Sequence, residues 1–101
     1  MLRHIVWWTL KDEAEGFTAD QNAARVKEAS AILSTIPGVI TVEVSIEVAE
    51  ATSTVPARIV LQSAHADADA LKAYADHPIH LEFAKLIKAV CSSRQALDYY
   101  I

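Results

Sequence analysis

Residues Leu2 to Leu10 alternate in a way that leaves neither side polar. His4, Val6, Trp8 and Leu10 fall on one side of an extended chain, and Ile5, Trp7 and Thr9 on the other. The β-branched and aromatic content predicts a strand, and the two apolar sides predict that both are covered. Lys11 to Phe17 is charged, contains Gly16, and reads as a loop. Thr18-Ala-Asp-Gln21 has the form of a capping box, in which the hydroxyl and the amide each satisfy one backbone N–H. Val26, Ala29, Leu33 and Ile36 then repeat on one helical face until Pro37-Gly38 stops it.

From Val39 to Val48 the alternation is strict: Val42, Val44, Ile46 and Val48 stand against Thr41, Glu43, Ser45 and Glu47. This predicts a strand with one buried face. Ala51 to Pro56 is a connection, and Arg58 to Ser63 a further strand. Asp67 is placed to cap a helix through Leu71 and Tyr74. Pro78 interrupts that helix, because the residue before a proline avoids the helical region. A new helix is expected from Ile79 to Val90, with Leu81, Ala84, Ile87 and Val90 or Cys91 inward. Alternation through Leu97, Tyr99 and Ile101 gives a last strand. The order β-α-β-β-α-β predicts an α+β, ferredoxin-like domain over residues 1–101: a four-stranded antiparallel sheet with helices on one face.

Composition narrows what such a domain does. The net charge is −4, which argues against a nucleic-acid partner, since backbone binding needs a basic stripe. No apolar run is long enough to span a membrane, and no leader segment is expected. A single cysteine, Cys91, excludes an intrachain disulfide and fits a reducing cytoplasm. With glycine only at 16 and 38 there is no phosphate-cradling loop. No triad spacing appears, and no cofactor is expected. The hydrophobic fraction of 52% is high for so small a chain, and its excess lies on the two faces of the first strand. A second copy joined through the sheet faces is the simplest cover for the face that the helices leave bare.

Four segments carry a resemblance. Leu2-Arg-His-Ile-Val6, Ile36-Pro-Gly-Val39, Tyr74-Ala-Asp-His77-Pro-Ile-His80 and Asp98-Tyr99 are similar, in order and spacing, to the stress-responsive A/B barrel (Dabb) family. The resemblance covers nearly the whole chain. It implies a dimeric α+β barrel in which two four-stranded sheets close on each other. Most members have no established activity. One plant member is a cyclase that closes a linear polyketide by intramolecular aldol chemistry, assigned to the tyrosine and second histidine of the Tyr-x-x-His-Pro-x-His segment. Those positions are Tyr74 and His80 here, and His4 matches a pocket histidine. The family usually carries an aromatic residue, often phenylalanine, where this chain has His65, so the polyketide substrate is not inherited.

The resemblance and the residues together point to a site. A helix broken at Pro78 and laid over a strand end brings Tyr74, His80 and His4 around one cavity, with Val6, Trp8 and His77 as further lining. Imidazole titrates near neutrality, and a phenol can hydrogen-bond a developing oxyanion. His80 is then a candidate base for a proton alpha to a carbonyl that Tyr74 polarises. The same residues admit a structural reading: His77 and His80 pin the helix interruption, and Tyr74 packs in the core. His65 is expected in solvent or at a strand end. The spacing His77-x-x-His80 also suits a metal pair, but Pro78 lies between them and no third ligand is evident, so no metal is expected. Three functions stay open: a small protein binding an apolar or aromatic molecule, a cofactor-independent cyclase or isomerase using His80 and Tyr74, and a cofactor-free monooxygenase of a related barrel type.

Overall fold

A computed structural model describes all of residues 1–101. Strand β1 (Leu2–Leu10) lies between β5 (Ile59–His65) and β6 (Cys91–Tyr100), and β4 (Thr41–Ser45) adds to the far side of β5. The order β4-β5-β1-β6 is antiparallel throughout. Helices α1 (Ala19–Ala29), α2 (Ala68–Asp76) and α3 (Pro78–Val90) cover one face. This is the ferredoxin-like plan expected from the alternating pattern. No helix is long and apolar enough to cross a membrane.

Several boundaries move, each for a local reason. The Lys11–Phe17 loop holds a small hairpin of β2 (Glu13–Ala14) and β3 (Phe17–Thr18). Glu15 and Gly16 both take positive φ, 56° and 81°, as a two-residue hairpin turn requires. The capping box at Thr18 and Gln21 forms as read. Helix α1 ends early: from Ser30 to Thr35 the chain tightens into a 3-10 turn. There the hydroxyls of Ser30, Ser34 and Thr35 donate to carbonyls three residues back, competing with the α-helical pattern. Strand β4 stops at Ser45, opposite Val60, and Ile46 to Val48 leave the sheet despite their alternation.

The last strand is longer than the sequence suggests. It starts at Cys91, directly after α3, and pairs with β1 along nearly its whole length. On α3 the buried residues are Phe83, Ile87 and Val90, while Leu81, expected inward, is 50% exposed. Pro78 opens α3 as its first residue, and Phe83 lies four residues before Ile87 and seven before Val90, on their face, whereas Leu81 lies nine before Val90. The core is one cluster. Val6 and Trp8 from β1, Ile59 and Leu61 from β5, and Val44 meet Val26, Leu33 and Ile36 at one end and Tyr74, Phe83, Ile87 and Val90 at the other.

The opposite sheet face has no helix. It carries Val60 and Gln62 from β5, Ile5 and Trp7 from β1, and Gln95 and Leu97 from β6. Ile5 and Trp7 remain partly exposed there, and Leu97 is exposed.

Candidate functional site

The helix interruption fixes the site. His77 adopts extended backbone, ψ 140°, and serves both as the C-cap of α2 and as the N-cap of α3. Its Nδ1 accepts from the Ile79 N–H at 3.1 Å. The structural reading therefore holds for His77: it caps the second helix and does not line the cavity. The kink leaves Tyr74 at the end of α2 and His80 in the first turn of α3 leaning on one another, with ring centroids 4.9 Å apart. Both turn toward β1.

Between α3 and the sheet is a cavity of about 110 Å³. Its walls are Val6 and Trp8 of β1, Leu61 of β5, and Phe83, Ala84 and Ile87 of α3. His4, Tyr74 and His80 also border it, as do Lys88 and Arg94. Of the six residues placed here from the sequence, His4, Val6, Trp8, Tyr74 and His80 come together. Three buried polar atoms of this group have no protein partner: Tyr74 OH, His80 Nδ1 and Trp8 Nε1. Buried polar groups are usually hydrogen-bonded, so these three atoms retain unused hydrogen-bonding capacity.

Burial tunes the protonation states. It pushes the Tyr74 phenol up to about 12, so tyrosine is neutral and a hydrogen-bond donor at physiological pH. Burial also lowers the His80 imidazole below its usual value, helped by the charges of His4 and Arg94 and opposed by the Ala75 backbone and Asp76. His80 is accordingly neutral near pH 7, with a free nitrogen able to take a proton. Beside it, His4 Nδ1 meets an Asp98 carboxylate oxygen at 2.5 Å, across directly paired positions of β1 and β6.

Of the two places expected for His65, the strand end holds and solvent does not. The residue is fully buried at the end of β5, its ring 4.8 Å from Tyr74 and its Nε2 2.8 Å from the Ser63 hydroxyl. Ile59, Leu61, Ser63 and His65 are successive helix-facing positions of one strand, so carrying the period two residues further would have found it. Burial holds its pKa down, with the His4 charge adding and Asp98 opposing. Tyr74 is thus flanked by two neutral imidazoles. The sequence reading also missed Phe83, Lys88 and Arg94 as lining and Asp98 as the partner of His4. Arg94 and Asp98 share the His4–Trp8 side of β6, as the pairing Trp8↔Arg94 shows.

Cys91 heads β6 and is half-buried, and burial pushes its thiol up to about 11 against the pull of Lys11. It is an unreactive thiol at neutral pH. No three histidine, cysteine or acidic side chains converge as a metal would need. Arg58 pairs with Asp20 at 2.8 Å.

Comparison with known proteins places this geometry. A dimeric protein of unknown function and ferredoxin-like fold from Bacteroides fragilis is similar, with 26% identity and a TM-score of 0.79, over 99% of this chain and 95% of that one. A Dabb family protein from Mesorhizobium loti shares 26% identity at a TM-score of 0.75, over 99% and 95% of the two chains. A hydroxynitrile lyase from Passiflora edulis has the same fold, with 19% identity, a TM-score of 0.79, and coverage of 99% and 92%. Among curated proteins none matches. Residues 2–101 match the stress responsive A/B barrel domain, and the chain belongs to that family.

Proposed function

We propose that the protein is a homodimer, joined through its open sheet faces, that binds a small apolar or aromatic molecule in the cavity between sheet and helices. One observation carries the binding: a cavity of about 110 Å³ with apolar walls, bordered by the unpartnered Tyr74 OH and His80 Nδ1. An engineered cavity of about 150 Å³ holds benzene, so the enclosed part of this one suits roughly a single ring or a compact carbonyl compound. The dimer is supported by the uncovered Ile5, Trp7 and Leu97 and by the dimeric description of a relative. A reducing cytoplasm fits the lone Cys91.

Binding is tested with phenol as the probe, followed by amide chemical shifts. Shifts at Val6, Phe83 and Ala84, lost in an Ala84→Phe variant that fills the space, are expected. An unperturbed cavity, or undiminished binding by that variant, overturns the reading. Light scattering is expected to return twice the chain mass of 11.0 kDa, and a Trp7→Glu variant to return one. A wild-type monomer overturns the dimer.

A second reading is favoured by the 4.9 Å approach of the Tyr74 and His80 rings. Neutral His80 takes a proton alpha to a carbonyl, and the electron pair left on carbon delocalises to the oxygen, where the Tyr74 hydroxyl donates to it. This is cyclase- or isomerase-like acid–base chemistry that uses no cofactor. Deuterium exchange into a cavity-sized ketone such as acetophenone checks it with methyl hydrogens as the exchanging atoms. Exchange above the buffer rate that falls at least about 100-fold in His80→Ala supports it, in line with the usual worth of a positioned base. Exchange that survives in His80→Ala removes His80 from the role.

A further inference from the structure

The mouth of the cavity says what kind of occupant it takes. Acidic side chains outnumber basic ones, 13 to 9. Most of the nine cations are engaged. Arg25, Arg58, Lys72 and Lys85 are paired with carboxylates. Lys11 and Lys27 donate to the carbonyls of Ala89 and Val44. Three are left without a protein partner: Arg3, Lys88 and Arg94. Two of these three, Lys88 from α3 and Arg94 from β6, border the cavity. They also border a shallower groove that shares Trp8 and Ile87 with it and so continues it outward. No carboxylate lines either space. The nearby ones are taken, Asp98 by His4 and Asp76 by Lys72.

Building on the binding function proposed above, we infer that the occupant is a small organic carboxylate. Its apolar body lies in the cavity against Trp8 and Phe83, a carbonyl or hydroxyl group meets Tyr74 and His80, and its carboxylate sits at the mouth between Lys88 and Arg94. A guanidinium presents a planar fork of donors that matches a carboxylate, and a lysine on the other lip adds a mobile charge. Two free cations beside an apolar space in an acidic protein also concentrate an anion at that one place. Arg94 lies on the Trp8 side of the sheet, so association through the opposite face leaves it at the cavity.

The test compares three probes of one ring, benzoate, benzamide and phenyl phosphate, by chemical-shift titration of the full chain at neutral pH. Benzoate is expected to bind at least fivefold tighter than benzamide. The Lys88→Gln/Arg94→Gln double variant changes two exposed side chains and is checked for an unaltered melting transition. It is expected to lose that fivefold preference, read as the ratio of benzoate to benzamide affinity in the same variant. Equal binding of benzoate and benzamide overturns the inference, as does a double variant that keeps its preference, and in both cases the cavity stands as a binding site. Phenyl phosphate binding tenfold tighter than benzoate overturns the carboxylate in favour of a phosphoryl group. If none of the three perturbs the cavity, the binding function itself fails.

Discussion

The layer between sheet and helices is built differently at its two ends. Under α1 and the 3-10 turn, Val26 and Leu33 have no exposed surface, Ile36 has 2%, and apolar side chains from β4 and β5 close over them. Under the α2–α3 junction the same sheet meets Tyr74, Ser63, His65 and His80, several with polar atoms unpartnered, and beside them is empty space. Both ends use the same strands and the same alternation. The first stabilises the fold through dense apolar contact. The second gives up contacts and leaves polar groups unsatisfied, each a cost to stability, and holds the space on which the proposed ligand binding rests.

The contrast is largest in response to truncation. Leu33→Ala at the packed end is expected to cost about 2–5 kcal/mol, read from the denaturant midpoint, because neighbours on every side prevent collapse of the hole. Tyr74→Phe at the other end is expected to change stability at pH 7 by about 1 kcal/mol or less, since the hydroxyl it removes bonds to no protein atom. Its effect appears at high pH. A phenol raised to about 12 in the folded state and ordinary when unfolded makes the fold lose stability as pH rises from 10 to 12. That loss is roughly 2–3 kcal/mol at about 1.4 kcal/mol per pH unit. Tyr74→Phe should abolish this part of the alkaline decline and leave Leu33→Ala with all of it. A Tyr74→Phe variant as destabilised at pH 7 as Leu33→Ala would dissolve the distinction between the ends.

The packed end was also the more legible one. Val26, Leu33 and Ile36 stand out by helical spacing, and Val44 and Ile59 by alternation, because one apolar face repeated along an element determines its own burial. The family resemblance supplied Tyr74 and His80 at the other end, and periodicity alone did not. What escaped reading depends on pairing across elements. His4 meets Asp98 only through the register of β1 and β6, which lie 94 positions apart. Arg94 faces the cavity because β6 begins three residues before it, directly after α3, a boundary that no glycine or turn residue marks. The burial of His65 was missed because the strand was ended at Ser63. Leu81 and Phe83 exchanged roles because steps of three drift off a 3.6-residue face: seven residues back from Val90 is Phe83, whereas Leu81, nine back, falls on the opposite side.

The smallest effect isolates the buried polar pair that this end tolerates. Ser63 Oγ and His65 Nε2 bond to one another behind Tyr74, His65 Nδ1 has no protein partner, and the imidazole is held neutral. Its folded pKa lies below the unfolded value of 6.5, so the unfolded chain binds the extra proton. Stability is therefore whole above about pH 6.5 and declines as pH falls through the window beneath it. His80, shifted the same way, adds to that decline. Replacing both partners, Ser63→Ala with His65→Phe, leaves no unpaired group, and at pH 7.5 the midpoint should move by no more than about 1 kcal/mol. Below pH 6 the double variant should decline less steeply than wild type and retain the part owed to His80. Adding His80→Phe should remove most of what is left. Parallel wild-type and double-variant curves from pH 7.5 to pH 5 would mean that His65 is not the group being protonated. The acid sensitivity of the cavity end would then rest on His80 alone.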